Sequence, residues 1–370
     1  MFQQHHEILP QASHDEFARE EFCSSIRKLF TTELWPGNRE IYAKKLLPAF
    51  IAKNGREPET MPEVKSLMNE SFYFRSSNAF GRAAQELLWD TVGESVERQL
   101  DTLVEKAKPK KGDLGTVRVN PELPMPRYIE SVDIHVMPGN FHTEIAPDDV
   151  FAGALYDRGV YVFAFGGLGE QNEGLGVLIS QFAKERFPEC KPKRILDMGC
   201  GPGFTTLPWK DLYPDAEVYG IDIGAPQIRY AHGRAESLGK AIHFSQQDAT
   251  HTDFPDGYFD IVVSLLVTHE MPVPAMKAMF SESYRLLAPR GIMVHDGGLS
   301  PPDTPFDLLM VSWFGMNANE PFSMGYRTLD FKKAFAEAGF SEEKIFQVLR
   351  QPVYLKDQLP PTSLMCAVKD

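Results

Sequence analysis

The segment that most constrains the fold is RILDMGCGPGFTT, residues 194–206. Its apolar beginning is typical of a central strand covered on both faces, and it leads directly into Gly199, Gly201 and Gly203. Because glycine has no side chain, a ligand can lie against the backbone of such a turn. A dinucleotide fingerprint requires a third glycine at the sixth position, which Phe204 occupies here. The segment therefore predicts a strand, a turn and a helix that hold a cofactor other than NAD.

Further strand ends follow in the order that such a fold requires. A second apolar run, EVYGIDI, ends at Asp222, about 20 residues after the turn, where Rossmann-like sites place an acid for ribose hydroxyls. A third short strand over residues 241–246 leads into Asp248 and Ala249, and a fourth over residues 259–266 leads into VTHEM. Because parallel strands end at the same edge of a sheet, we expect these residues to share one site.

This series resembles the class I S-adenosylmethionine (SAM) methyltransferases, and within them the ubiquinone-biosynthesis-type branch. The glycine turn is similar to their motif I, and YRLLAPRG is similar to their helix-to-strand phrase before strand five. The resemblance covers residues 192–370 and implies an α/β fold, a Rossmann-like doubly wound seven-stranded sheet. It also implies SAM as cofactor, with S-adenosylhomocysteine (SAH) as product. The cofactor-binding residues that it implies are Asp197, Gly199, Gly201, Gly203, Asp222, Ile223, Asp248, Ala249 and Ser264.

Composition narrows the possible partners and location. A net charge of -13 and a pI near 5.3 oppose nucleic-acid binding, which draws on a basic surface. The four cysteines are widely separated and indicate neither a zinc site nor a disulfide framework. The sequence has neither a secretory signal pattern nor an apolar run of membrane-spanning length. We therefore expect a cytoplasmic protein with a small-molecule partner, without nucleic acid or membrane.

The first part of the chain, residues 1–145, is predicted to be a mainly helical domain that precedes a methyltransferase domain over residues 146–370. Ser13 with Glu16 forms a predicted capping box, and a long helix is predicted over residues 78–106. The apolar stripe of that helix fits a homodimer surface, a lid or ordinary core packing. An extended hairpin is predicted near residues 128–136.

His135 and His142 are the first candidates for a metal site. Two histidines seven residues apart in a nonhelical segment match no compact ligand spacing, so we assign no metal. Tyr156 and Arg158 precede the glycine turn in a predicted helix, and in the resembled family this segment covers the cofactor. An arginine fork suits a carboxylate and an aromatic face suits a sulfonium, whereas interdomain packing is the alternative.

Residues 297–326 form a predicted insertion after strand five. Its apolar residues indicate either a cover over the substrate or a helical hairpin that belongs to the core or to a dimer contact. The residues that form this apolar set are Phe306, Leu308, Leu309, Met310, Trp313, Phe314, Met316, Phe322 and Met324.

Methyl transfer from a sulfonium chiefly requires alignment of the acceptor and exclusion of water. A histidine is a suitable base for an acceptor that must lose a proton, and His269 and then His295 follow strands four and five. We expect a SAM-dependent methyltransferase that acts on an O, N or C centre of a small, partly apolar molecule. The alternatives are a noncatalytic SAM-binding scaffold and a nucleotide-dependent oxidoreductase.

Overall fold

A computed structural model describes residues 3–297, 302–354 and 361–370. Its centre is one eight-stranded sheet of order β1-β4-β3-β2-β5-β6-β8-β7. The strands are β1 (Thr116–Arg118), β2 (Arg194–Met198), β3 (Glu217–Asp222), β4 (Ile242–Gln246), β5 (Phe259–Ser264), β6 (Leu287–Asp296), β7 (Ile345–Arg350) and β8 (Thr362–Val368).

Strands β1 to β6 pair in parallel, whereas β8 runs antiparallel to both β6 and β7. The predicted seven-stranded, doubly wound α/β sheet is confirmed, and β1 adds an eighth strand that the sequence did not indicate. Glu236 accepts hydrogen bonds from the backbone of Leu114 and Gly115 beside this edge. Gly115 itself passes so close to Ile242 that a β-carbon would lie 1.9 Å from its carbonyl oxygen. A three-residue strand at an edge has too few positions to show a period.

Helices cover both faces of the sheet, and a second group of helices precedes it in the chain. The α-helices are α1 (His14–Leu29), α2 (Trp35–Ile41), α3 (Leu47–Asn54), α4 (Met61–Asn69), α5 (Phe72–Glu97), α6 (Leu100–Ala107), α7 (Arg127–Glu130), α8 (Phe151–Phe163), α9 (Gly174–Arg186), α10 (Thr206–Leu212), α11 (Ala225–Ser237), α12 (Val273–Leu286), α13 (Pro305–Asn317), α14 (Ser323–Thr328) and α15 (Phe331–Ala338).

The helical N-terminal region differs in detail from the prediction. The capping box of Ser13 and Glu16 is present at the start of α1. The single helix predicted over residues 78–106 is instead α5 and α6, which break at Arg98 and Gln99. The predicted hairpin is wrong, because α7 and a 3-10 turn, Ile134–Val136, replace it. In that segment Asn140 donates to the carbonyls of Ile129 and Val132, which favours a compact loop over a strand pair.

Within the described part of the insertion, residues 302–326, no side chain lines the main cavity. Its helix α13 packs on α4 and α5, where Phe306, Leu309 and Met310 share a buried cluster with Val64 and Phe74. The helical-hairpin alternative therefore describes α13. The first residues after Gly297, residues 298–301, lie outside the described part of the chain. Among the helices of the described residues, none combines the length and apolar character needed to cross a bilayer.

Candidate cofactor and acceptor site

A cavity opens at the carboxyl ends of β2, β3, β4 and β5. Two sets of residues surround it. We call the residues that follow these strands the strand-end lining: Gly199, Cys200, Gly201, Pro202, Phe204, Thr205, Asp222, Ile223, Gln247, Asp248, Ala249, Leu265, Leu266, Val267, Glu270 and Met271. We call those that precede β2 the upstream lining: Tyr128, Ile129, Phe141, Tyr156, Val160, Leu168, Asn172 and Leu175.

The glycine turn has the geometry that its sequence predicts. Gly199 and Gly201 have φ of 72° and 48°, in the left-handed region that favours glycine. A β-carbon on Gly199 would lie 2.4 Å from a methyl carbon of Val267, whereas one on Gly201 would meet no atom closer than 4.0 Å. Gly201 therefore leaves an open cradle in the lining, which a side chain would fill.

Asp222 is held at the edge of this cradle. Its carboxylate accepts hydrogen bonds from the backbone amides of Gly201 at 3.0 Å and Gly224 at 2.8 Å. Burial raises the pKa of Asp222, although these amides oppose the shift. Asp248, the other predicted acid, lines the same cavity and accepts from the amide and hydroxyl of Thr250. The structure thus brings Gly199, Gly201, Asp222, Ile223, Asp248 and Ala249 together.

Asp197, Gly203 and Ser264 lie behind the lining. The buried carboxylate of Asp197 accepts hydrogen bonds from the hydroxyls of Thr205 and Thr206, and burial raises its pKa to about 6 despite them. Gly203, with φ of 84°, and the buried Ser264 are likewise absent from the cavity surface. These three residues support the turn and the strand from behind the cavity surface, and their direct contact with a cofactor stays a prediction.

The two cofactor-binding residues predicted in α8 lie in different surroundings. Tyr156 lines the cavity and stacks on Phe204, with ring centroids 6.0 Å apart. Arg158 lies outside the lining, and its guanidinium pairs with the buried carboxylate of Glu20 and donates to Gln3. This corrects the expectation for Arg158, because a fully engaged buried ion pair ties it to α1 rather than to a cofactor.

The two histidines predicted as bases also lie in different surroundings. His295 is completely buried, its ring nitrogens lie 2.5 Å from the Ser264 hydroxyl and 3.2 Å from that of Ser283, and burial lowers its pKa to about 3. This placement corrects the expectation of a base at His295, which has no access to the cavity. His269 lies in a 3-10 turn, Thr268–Glu270, and its Nε2 is 3.2 Å from Glu270 Oε1.

Glu270 is the centre of a buried charge cluster that also contains His135, His269 and Glu320. His135 Nε2 lies 2.7 Å from Glu270 Oε1, and His135 Nδ1 lies 3.1 Å from Glu320 Oε1. Burial lowers the pKa of His135, but the charges and hydrogen bonds of Glu270 and Glu320 outweigh it and raise the pKa to about 10. Burial likewise opposes protonation of His269, yet Glu270 raises its pKa as well. A histidine that stays protonated is a poor base. Of the residues in this cluster, Glu270 is the one that lines the cavity.

No sequence pattern indicated most of the upstream lining or Glu320. Tyr128, Phe141 and Asn172 reach the cavity from loops or short turns whose path depends on tertiary contacts. His135 was considered only with His142, because they are close in sequence, whereas its partners are 135 and 185 residues away.

Comparison with known proteins agrees with this fold. Residues 195–291 match the family model described as a methyltransferase domain. The demethylmenaquinone methyltransferase of Thermus thermophilus is 37% identical over 126 residues, which are 34% of this chain and 56% of that protein. The ajmaline N-methyltransferase of Rauvolfia serpentina is 40% identical over 80 residues, 21% of this chain and 27% of that protein. The chain thus spans about half or less of the length of these relatives.

A solved structure, the magnesium protoporphyrin IX methyltransferase of Synechocystis PCC 6803 with bound SAH, aligns with a TM-score of 0.39 and 21% sequence identity. The alignment covers 54% of this chain and 86% of that one. The match over residues 195–291 and the order of the sheet both agree with the class I methyltransferase fold. The ubiquinone-biosynthesis-type branch stays a prediction.

Proposed function

We propose that this protein transfers a methyl group from SAM to an O, N or C centre of a small, partly apolar molecule. The observation that carries the proposal is the shared cavity, in which the glycine turn, Asp222 and Asp248 face the same space as Tyr156 and Glu270. The relatives that match the domain have methyltransferase names, which supports the same reaction class.

The charge of the lining favours a sulfonium cofactor over a dinucleotide. Asp222, Asp248 and Glu270 line the cavity, and in the described part of the chain no lysine or arginine does so. Glu270 is already paired with His135 and His269, whereas Asp222 and Asp248 form no ion pair among the described residues. These two carboxylates repel a pyrophosphate and attract a positively charged sulfur. Asp222 is placed to accept from ribose hydroxyls, and the open cradle at Gly201 lets the cofactor approach the backbone.

SAM when bound supplies an activated methyl group, so the protein's own work is positioning. The aromatic faces of Tyr156 and Phe141 suit a sulfonium and exclude water from it. Glu270 is proposed to accept a hydrogen bond from an acceptor O–H or N–H and to hold its lone pair towards the methyl group. His269 is proposed to act through Glu270, which it contacts, rather than as the base itself.

Two measurements test this function. Titration calorimetry of the purified protein should show SAM and SAH binding to one site, while NADH should give no heat. A screen with labelled SAM against phenols, amines and carboxylic acids should then find an accepted class. Absence of SAM and SAH binding would reject the proposal, and binding without transfer to any acceptor would favour the noncatalytic scaffold.

We also propose a cytoplasmic homodimer that forms through the helical region of residues 1–145. Phe22 and Phe72 are 59% and 76% exposed on its helices, which supports an apolar contact there. The four cysteines are free, which suits a reducing compartment. Light scattering of the eluted protein should give twice the monomer mass, and a Phe72→Glu variant should give the monomer mass.

A further inference from the structure

The charge cluster brings together three side chains of the types that bind metal ions. One ligand atom each from His135, His269 and Glu270 lies within 4.8 Å of the other two. Two ligand atoms that each lie about 2.1 Å from a tetrahedral zinc ion are about 3.4 Å apart. Side-chain rotations that close the widest pair by at most about 1.4 Å therefore suffice to bind one ion.

The surroundings of His135 fix which of its nitrogens faces this group. Glu320 holds Nδ1 at 3.1 Å, which directs Nε2 towards Glu270. The backbone of His135 has φ of 58°, and its carbonyl accepts hydrogen bonds from the side chains of Gln85 at 2.7 Å and Trp89 at 2.8 Å. A carboxylate on the second nitrogen of a metal-binding histidine is the usual way to orient its ring. The fold therefore keeps an uncommon backbone conformation whose effect is to present this imidazole.

Glu270 supplies an independent sign of a missing partner. Its side chain is 10% exposed, and its Oε2 is buried without a hydrogen-bond partner among the described residues. An unpaired carboxylate oxygen in an apolar wall is costly, and such groups usually bind a ligand or an ion. Glu270 also lines the main cavity, so an ion at this place is accessible from it.

We propose that His135, His269 and Glu270 bind one divalent transition-metal ion, with Glu320 as the residue that orients His135. Two imidazoles with one carboxylate suit zinc, iron, cobalt or manganese rather than magnesium or calcium. The ion binds by displacing the protons that the two imidazoles otherwise hold beside Glu270 and Glu320. Three protein ligands leave further coordination positions open. If the proposed methyl transfer is correct, an oxygen or nitrogen of the acceptor occupies one of them; the binding of the ion itself does not depend on that function.

The test is a titration of the full-length, untagged protein with Co²⁺ after a chelator has removed bound metal. We expect visible absorption bands that saturate at one Co²⁺ per chain and disappear when Zn²⁺ is added. Glu320→Gln should weaken Co²⁺ affinity about 10- to 100-fold. His269→Ala and Glu270→Gln should each weaken it more. The matched control His142→Ala removes a nearby histidine outside the cluster and should leave Co²⁺ affinity unchanged.

Circular dichroism melting identifies variants that do not fold, and Glu320→Gln, which removes no ligand, supplies a second graded readout. No saturable Co²⁺ or Zn²⁺ binding would overturn the proposal. Equal Co²⁺ affinity in the wild type, His269→Ala and Glu270→Gln would also overturn it, as would binding of Mg²⁺ in preference to Co²⁺. Calorimetry with SAM on the metal-free protein tests the methyltransferase proposal separately, so failure of one does not imply failure of the other.

Discussion

The strand-end lining and the upstream lining reach the same cavity by different means. The sheet positions the strand-end lining. Parallel pairing of β2 with β3 and β5 aligns their carboxyl ends, so the glycine turn and Asp222 lie at the same edge of the sheet. The upstream lining comes from loops and from α7, α8 and α9, and the position of α8 depends on contacts with α5 and α11. The comparison teaches that the strand-end lining follows from the topology of the sheet, whereas the upstream lining depends on the packing of helices and loops.

The largest expected effect tests whether Arg158 belongs to packing alone. Arg158→Ala leaves Glu20 buried without its partner and should lower the free energy of unfolding by about 4 kcal/mol in urea denaturation. The matched control Arg19→Ala breaks a largely exposed pair with Glu94 and should cost less than about 1 kcal/mol. SAM affinity should be unchanged in the folded fraction of both. A loss of SAM affinity in Arg158→Ala but not in Arg19→Ala would indicate that Arg158 does belong to the cofactor site.

The second prediction concerns the support behind the strand-end lining. The folded-state pKa of Asp197 is raised to about 6, so this carboxyl favours folding when protonated, and that contribution is lost as pH rises through about 6. Asp197→Asn removes the buried charge and should gain up to about 3 kcal/mol relative to wild type above that pH, with a smaller difference near pH 4. Urea unfolding across this range measures it. A difference that does not vary with pH would contradict the assignment.

The third prediction tests the strand-end lining directly. Asp222→Ala removes the acceptor for the ribose hydroxyls and frees the amides of Gly201 and Gly224, so SAM affinity should fall about 100-fold, or about 2.7 kcal/mol. Asp222→Asn keeps the shape and should lose less. Because burial raises the pKa of Asp222, wild-type affinity should also fall on acidification at a higher pH than an ordinary aspartate would give. Calorimetry gives both results, and an affinity within a factor of about three of wild type would disprove the role.

The smallest expected effect sharpens the contrast between binding and transfer. Glu270→Gln should lower kcat about 30-fold, or about 2 kcal/mol, while SAM affinity stays near that of wild type, since Glu270 is proposed to meet the acceptor. Single-turnover kinetics with a saturating acceptor measures this change. Thr250→Ala, a substitution beside Asp248, serves as the control and should affect SAM affinity more than kcat. Equal loss of both quantities in Glu270→Gln would contradict the proposed contact between Glu270 and the acceptor.

Local sequence was a good guide wherever one residue decides its own conformation. The glycines of the turn, the capping box of Ser13 and the strand that ends at Asp222 were predicted because each depends on neighbours within a few residues. The hairpin was wrong for a different reason. Hydrogen bonds from Asn140 to the carbonyls of Ile129 and Val132, which no period in the sequence records, outweighed the weak local preference for a strand.

The sequence by itself determined the α/β class, the order of the main strands and the acids at their ends, because hydrophobic period and glycine spacing are local properties of the chain. Only the tertiary structure decided that Arg158 pairs with Glu20, that His295 is buried, and that His135 meets Glu270 and Glu320. These pairs join residues more than a hundred positions apart. Burial makes such charges interact strongly, and no pattern along the chain records which of them will meet.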